Sequence, residues 1–162
     1  MKPHAAFLLL GLLALAGCYD PVHLDAVAVL GPEAEGVPRG PEHRAGQPCT
    51  TCHGGDGPGS PEFAVAGTVF DVRGTSAALP GATVTITDAH GDVRALATNR
   101  VGNFYITKDQ WSPAFPLRVA IDDGKGAHKE MLTTIGRSGS CATCHVGNGD
   151  AQAMPAVFVR DR

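Results

Sequence analysis

The chain lacks any apolar run of the ~20 residues that a helix needs to cross a bilayer. Neither sign of charge dominates: Lys+Arg 13 against Asp+Glu 16 gives a net charge of −3. There is no basic run or basic patch, which argues against nucleic acid as a partner. Aromatic residues make up only 6% of the chain, so a core built from side chains alone has few large rings to bury. Neither a His-Glu-x-x-His nor a Gly-x-Ser-x-Gly pattern occurs, so no peptidase or serine-hydrolase chemistry is expected, and no enzyme is predicted. What the chain has in abundance is glycine and proline, Gly 21 and Pro 12, which predicts many turns and excludes a helix bundle.

Cysteine is scarce but patterned. Of five cysteines, four fall into two copies of Cys-x-x-Cys-His: Cys49, Cys52 and His53, then Cys141, Cys144 and His145. This is the spacing of c-type haem attachment. Two thiols three residues apart lie on one side of a helical turn and can each bond one vinyl group of a porphyrin. The adjacent histidine is then placed to ligate the iron as the proximal ligand. The motifs therefore predict two covalent haems, a source of apolar bulk for a small core. Two other readings of the cysteines stay open: a zinc or other structural metal between the two pairs, and a disulfide within each pair. Neither explains why a histidine follows the second cysteine both times.

The fifth cysteine, Cys18, follows Lys2, an apolar stretch over residues 5–16, and Leu15-Ala16-Gly17. The stretch has the length of a secretory signal rather than a membrane span. Small residues before a cysteine at this point resemble the lipobox of bacterial lipoproteins. That resemblance implies cleavage after residue 17, lipid on Cys18, and a location in the bacterial cell envelope, at the periplasmic face or the outer membrane. Residues 18–48 then read as a lipid-anchored Gly/Pro-rich tether, extended for much of its length, with residues 22–30 docking as a short strand or turn.

Residues 49–62 form the first attachment segment, and residues 137–162 the second with the C-terminal tail. Between them, residues 63–136 read as six short β-runs separated by turn signals: 64–72, 83–87, 93–98, 104–107, 115–121 and 127–135. Thr83-Val84-Thr85-Ile86-Thr87 alternates β-branched residues most clearly, and Asp88-Ala89-His90-Gly91-Asp92 is a hairpin turn. The expected fold class is mainly β, an antiparallel β-sandwich flanked by short irregular or one-turn-helix attachment segments.

Three pieces of this stretch occur in a familiar order: Val65-Ala66-Gly67-Thr68-Val69, then Leu79-Pro80-Gly81-Ala82-Thr83-Val84-Thr85-Ile86, then Thr98 with Gly102-Asn103-Phe104-Tyr105-Ile106. Together they resemble the carboxypeptidase regulatory-like domain, whose fold is a transthyretin-like β-sandwich. The resemblance implies fold and says almost nothing of function. The complete order of lipobox, Cys-x-x-Cys-His, sandwich and Cys-x-x-Cys-His resembles exported bacterial dihaem cytochrome c-like lipoproteins. That implies electron transfer at a membrane surface with a redox protein partner in the envelope.

Candidate distal ligands are His43, Met131, Met154 and His128. Two irons each held from both sides would make an electron carrier. One iron with an open position would make a haem-based ligand sensor or a small peroxidase-like protein. A non-redox envelope binding module with a structural metal at the cysteine pairs is a third reading. An even number of reversing strands also predicts that Cys52 and Cys144 lie at the same pole of the sandwich.

Overall fold

The computed structural model describes residues 20–147 and 154–161, so Cys18 and the proposed signal lie outside the described residues. The fold is mainly β, with antiparallel sheets and two short helices. Helix α1 spans Pro21–Val29 and helix α2 spans Cys49–His53. The strands are β1 Phe63–Thr68, β2 Phe70–Val72, β3 Thr83–Thr87, β4 Val93–Ala97, β5 Asn103–Thr107, β6 Arg118–Asp122, β7 His128–Glu130 and β8 Phe158–Arg160. A 3₁₀ turn covers Cys141–Thr143.

Strands β4-β3-β6-β7 form one antiparallel sheet in that order, β1 pairs with β5 antiparallel, and β2 pairs with β8 parallel. The run over 64–72 divides at Val69 because its amide turns to the carbonyl of Gly102, at 2.9 Å, rather than to a partner strand. The long strand expected over 127–135 is regular only at His128–Glu130. Beyond it, single contacts continue the pairing, with Met131 N donating to Val119 O and a bridge between Leu117 and Ile135. Strand β8 has no counterpart in the sequence reading.

Inward residues at period two build the core: Val84 and Ile86 of β3, Phe104 and Ile106 of β5, and Ile121 of β6, joined by Val65, Val69 and Leu117. The hairpin between β3 and β4 closes as expected, with Gly91 at φ 86° and Asp88 N donating to Asp92 O. The Asp88 carboxylate accepts from the amides of Ala114, Asp92 and His90, which together hold it below the ordinary aspartate range.

The segment before the first motif departs from the expected free tether. Residues Pro21–Val29 are helical, not a strand or turn. Asp20 caps the helix, its carboxylate accepting from Val22 N and His23 N, and Pro21 occupies the first turn. The chain then folds back over β5. Asn103 Nδ2 donates to the carbonyls of Pro41 and His43, and Gly46 N donates to Thr68 Oγ1, which in turn donates to Asn103 Oδ1. Arg100 pairs with Glu42 beside these contacts. Gly and Pro density blocks regular structure here, as composition predicts, yet side chains of the sheet supply the partners that regular structure would have provided.

Candidate functional site

The first motif forms a single α-helical turn, which places Cys49 and Cys52 on one side and His53 at its end. All four motif cysteines are unbridged, so neither pair is a disulfide. Burial pushes the Cys49 thiol up to about 11, with the neighbouring Cys52 charge adding to the effect. His53 is buried, and its Nδ1 lies 2.7 Å from the carbonyl oxygen of Pro61. A carbonyl can only accept, so Nδ1 carries the proton and Nε2 keeps its lone pair for a metal.

The loop over 54–61 makes this contact by wrapping the end of the helix. Gly59 N donates to Cys52 O at 2.8 Å, and Lys108 Nζ donates to Gly54 O and Glu62 Oε2. One side of the His53 ring stacks on Phe63, with centroids 4.2 Å apart, and Phe63 stacks on Tyr105 at 4.6 Å. A β-bulge makes this possible. The register shifts between Phe63 and Val65, so Phe63 leaves the alternation of β1 and joins the Tyr105 face.

A cavity of about 460 Å³ opens beside the turn, lined by Cys49, Cys52 and His53 together with Leu30, His43 and Tyr105. Its size lies within the range usual for cofactor pockets. His43 is brought across this space, its ring 5.9 Å from that of His53 and inclined at 67°.

The second motif repeats the key contact on different structure. His145 Nδ1 lies 2.7 Å from the carbonyl oxygen of Pro155. The motif sits on a 3₁₀ turn, with His145 N donating to Cys141 O, and Gly147 N donating to Met154 O brings the returning chain alongside. Cys141 is part-exposed as a residue, but its sulfur faces inward: a Cβ added at Gly67 would lie 2.8 Å from it. Burial pushes that thiol up to about 12, with the charges of Cys49 and Cys144 adding to it. Cys144 is exposed.

Both motifs pack against β1. Ala66 N donates to Gly139 O at 2.8 Å, and Ser140 bridges to Ala66. A second cavity, about 550 Å³, lies between them, lined by Thr50 and Thr51 from one motif and Thr143 from the other.

The other candidate ligands are placed as follows. His128 is an exposed residue of β7, 3.7 Å from Asp122, on the far edge of the four-stranded sheet. Met131 follows it, outside the strand. Met154 is half-exposed, and its neighbour Pro155 is the residue behind His145. Of the four candidates, only His43 lines the cavity of the first motif.

The donor set fits a covalently attached haem at the first motif: two unbridged thiols on one turn, a histidine with its Nε2 left free, and the imidazole of His43 across the cavity. The second motif repeats the histidine tautomer, while its thiols differ in setting, Cys141 turned inward against β1 and Cys144 exposed. Among the described residues, no group of three or more His, Cys, Asp or Glu side chains is placed to hold a metal ion, so the two pairs do not converge as a four-thiolate site. Sequence reasoning did not single out Pro61 or Phe63, nor the carbonyl of Pro155. A carbonyl belongs to every residue, so no residue type advertises it.

Structure and site thus define a mainly β protein with two Cys-x-x-Cys-His turns, one α-helical and one 3₁₀, packed on one strand. Comparison with protein-family models, with curated proteins and with solved structures finds no match to this chain.

Proposed function

We propose that this protein is a dihaem c-type electron carrier, anchored in the bacterial cell envelope by lipid on Cys18, and not an enzyme. The observation that carries the reading is the repeated bond from a motif histidine to a proline carbonyl, 2.7 Å in both cases, on two unrelated local structures. Metal-ligating histidines almost always donate their second ring nitrogen in this way, because the bond sets the tautomer and the ring orientation. Disulfides, or a zinc held by the four thiolates alone, would not call for it.

Cys49 and Cys52 would hold one haem and Cys141 and Cys144 the other, with His53 and His145 as proximal ligands. Haem supplies a one-electron iron couple. The residues here bind it, exclude water from the first site with Phe63, Tyr105 and Leu30, and hold a proton on each Nδ1. Both turns pack on the one strand β1, which supports direct exchange between the two centres. A redox protein of the envelope would be the partner. The sheets accord with the proposed carboxypeptidase regulatory-like, transthyretin-like sandwich, which would serve as the scaffold carrying both turns.

The test is intact mass after denaturation. The purified mature protein should exceed the mass of the lipoprotein by two haems. Cys49→Ser and Cys141→Ser should each weaken one attachment and leave the other. A mass with no added porphyrin would end the cytochrome reading.

A further inference from the structure

Resting on the reading of the first motif as a haem-attachment turn, we propose that His43 is the second axial ligand of that iron and that Glu33 is its positioning residue. An imidazole nitrogen sits ~2.0–2.1 Å from a first-row metal and ~1.1–1.2 Å from its own ring centre, so two rings on opposite sides of one iron are centred roughly 6.2–6.6 Å apart. His43 and His53 are centred 5.9 Å apart across the cavity that both motif cysteines line. The rings meet edge to face, an arrangement that aromatic packing also favours, and His43 stands on a segment without regular structure.

That segment is nonetheless held at several points. His43 N donates to Gly40 O at 3.1 Å, and its carbonyl accepts from Asn103 Nδ2 at 3.0 Å. Arg44 ties the same stretch to the end of α1: Nη2 donates to Gly31 O at 2.7 Å, Nη1 to Leu30 O and to Gln47 Oε1, and Nε to Glu33 Oε1. Arg44 adopts φ 53°, a conformation rare for a residue with a side chain, which these four bonds offset.

Glu33 completes the arrangement. Its Oε1 lies 3.3 Å from His43 Nδ1, an ion-pair distance without the alignment of a hydrogen bond. Accordingly Nδ1 has no hydrogen-bond partner although it is buried, and Glu33 Oε2 is buried and unpartnered too. Each of these buried, unpartnered atoms costs free energy, and a slight shift of the ring would let Nδ1 donate to the carboxylate. Ligation through Nε2 would give the ring that orientation and keep the proton on the carboxylate side. A carboxylate behind an imidazole raises its basicity and favours the more oxidised metal. The first centre would therefore be closed to exogenous ligands and of lower potential than its histidine ligands alone would set.

The experiment uses the full-length, haem-loaded protein. His43→Ala should convert one of the two haems from low-spin to high-spin, open it to carbon monoxide, and leave the other unchanged. Added imidazole should restore the low-spin spectrum. His43→Met should stay low-spin with a raised potential, which keeps the test open if the alanine variant does not accumulate. Glu33→Gln should raise the potential of one haem while both remain low-spin, a readout that loss of packing alone would not produce. If His43→Ala leaves both haems low-spin and blind to carbon monoxide, the ligand assignment is overturned; if Glu33→Gln leaves both potentials unmoved, the role of Glu33 is. Denatured mass separates these failures from the underlying reading, because a protein without porphyrin fails there first.

Discussion

Position 59 tolerates no side chain. A Cβ on Gly59 would lie 2.8 Å from both Cγ and Cδ2 of His53 and 2.9 Å from Cys52 O. The loop that returns Pro61 to His53 runs against the imidazole edge, and only glycine permits that approach. Gly59→Ala should destabilise the protein by roughly 1–3 kcal/mol as an overpacked substitution. It should also loosen His53, giving the first haem a high-spin fraction that the second lacks. Thermal melting together with the absorption spectrum checks both, and an unchanged spectrum would mean that the loop does not orient the ring. The motif itself was legible, since two thiols and a histidine at fixed spacing are chemically distinctive. The residues that tune it were not, because their contributions come from a carbonyl, a missing Cβ and a bulge.

Among the elements, β8 is the one that no pattern announced. It has three residues, too few for an alternation to be read from sequence. It is held by Val159, which is buried in the core, and by Phe158, whose ring lies 3.7 Å beneath Lys129 Nζ. Arg160 pairs with Asp71 on β2 and with Asp123 in the turn before β7. Asp123 is buried and also accepts from Lys125 N and Ala127 N. Just upstream of β8 is Pro155, the partner of His145, so the strand anchors the wall behind the second motif. Arg160→Ala should lower the melting temperature and make the C-terminal strand more open to proteolysis. It should also disturb the spectrum of the second haem while sparing the first. Equal disturbance of both haems would show that β8 supports the whole fold rather than one site. Helix α1 was missed for a different reason. Asp20-Pro21 is a readable start signal, but the Gly- and Pro-rich composition beyond it outweighed that signal.

At the scale of the molecule, no helix among the described residues is long and apolar enough to cross a membrane. On the proposed reading the protein is held by lipid at Cys18, and stable anchoring needs more than one acyl chain. Cys18→Ala should give unprocessed precursor or soluble material on fractionation; a cleaved variant that stays with membranes would point to some other attachment. Both motifs pack on β1, a contact that the strand count did not specify. The strand count was a blunt instrument, because β1 and β2 are one run in sequence and two strands in different sheets. What brings the second motif home is local: residues Gly139 and Ser140 lie along β1, where a Cβ on Gly139 would sit 1.9 Å from Ala64 O.

The mainly β class, the β3–β4 hairpin and the two Cys-x-x-Cys-His motifs were legible in the sequence alone. Each of these is written in short-range terms: alternation of β-branched residues, a turn glycine, a fixed spacing of thiols and histidine. Only the tertiary structure decided that both motif histidines meet a proline carbonyl, that the supposed tether docks on β5, and that His43 rather than His128, Met131 or Met154 faces the first motif across its cavity. Those outcomes depend on which distant backbone groups find partners. Asn103 is 60 residues from His43, and nothing in either neighbourhood marks the pair until the fold closes.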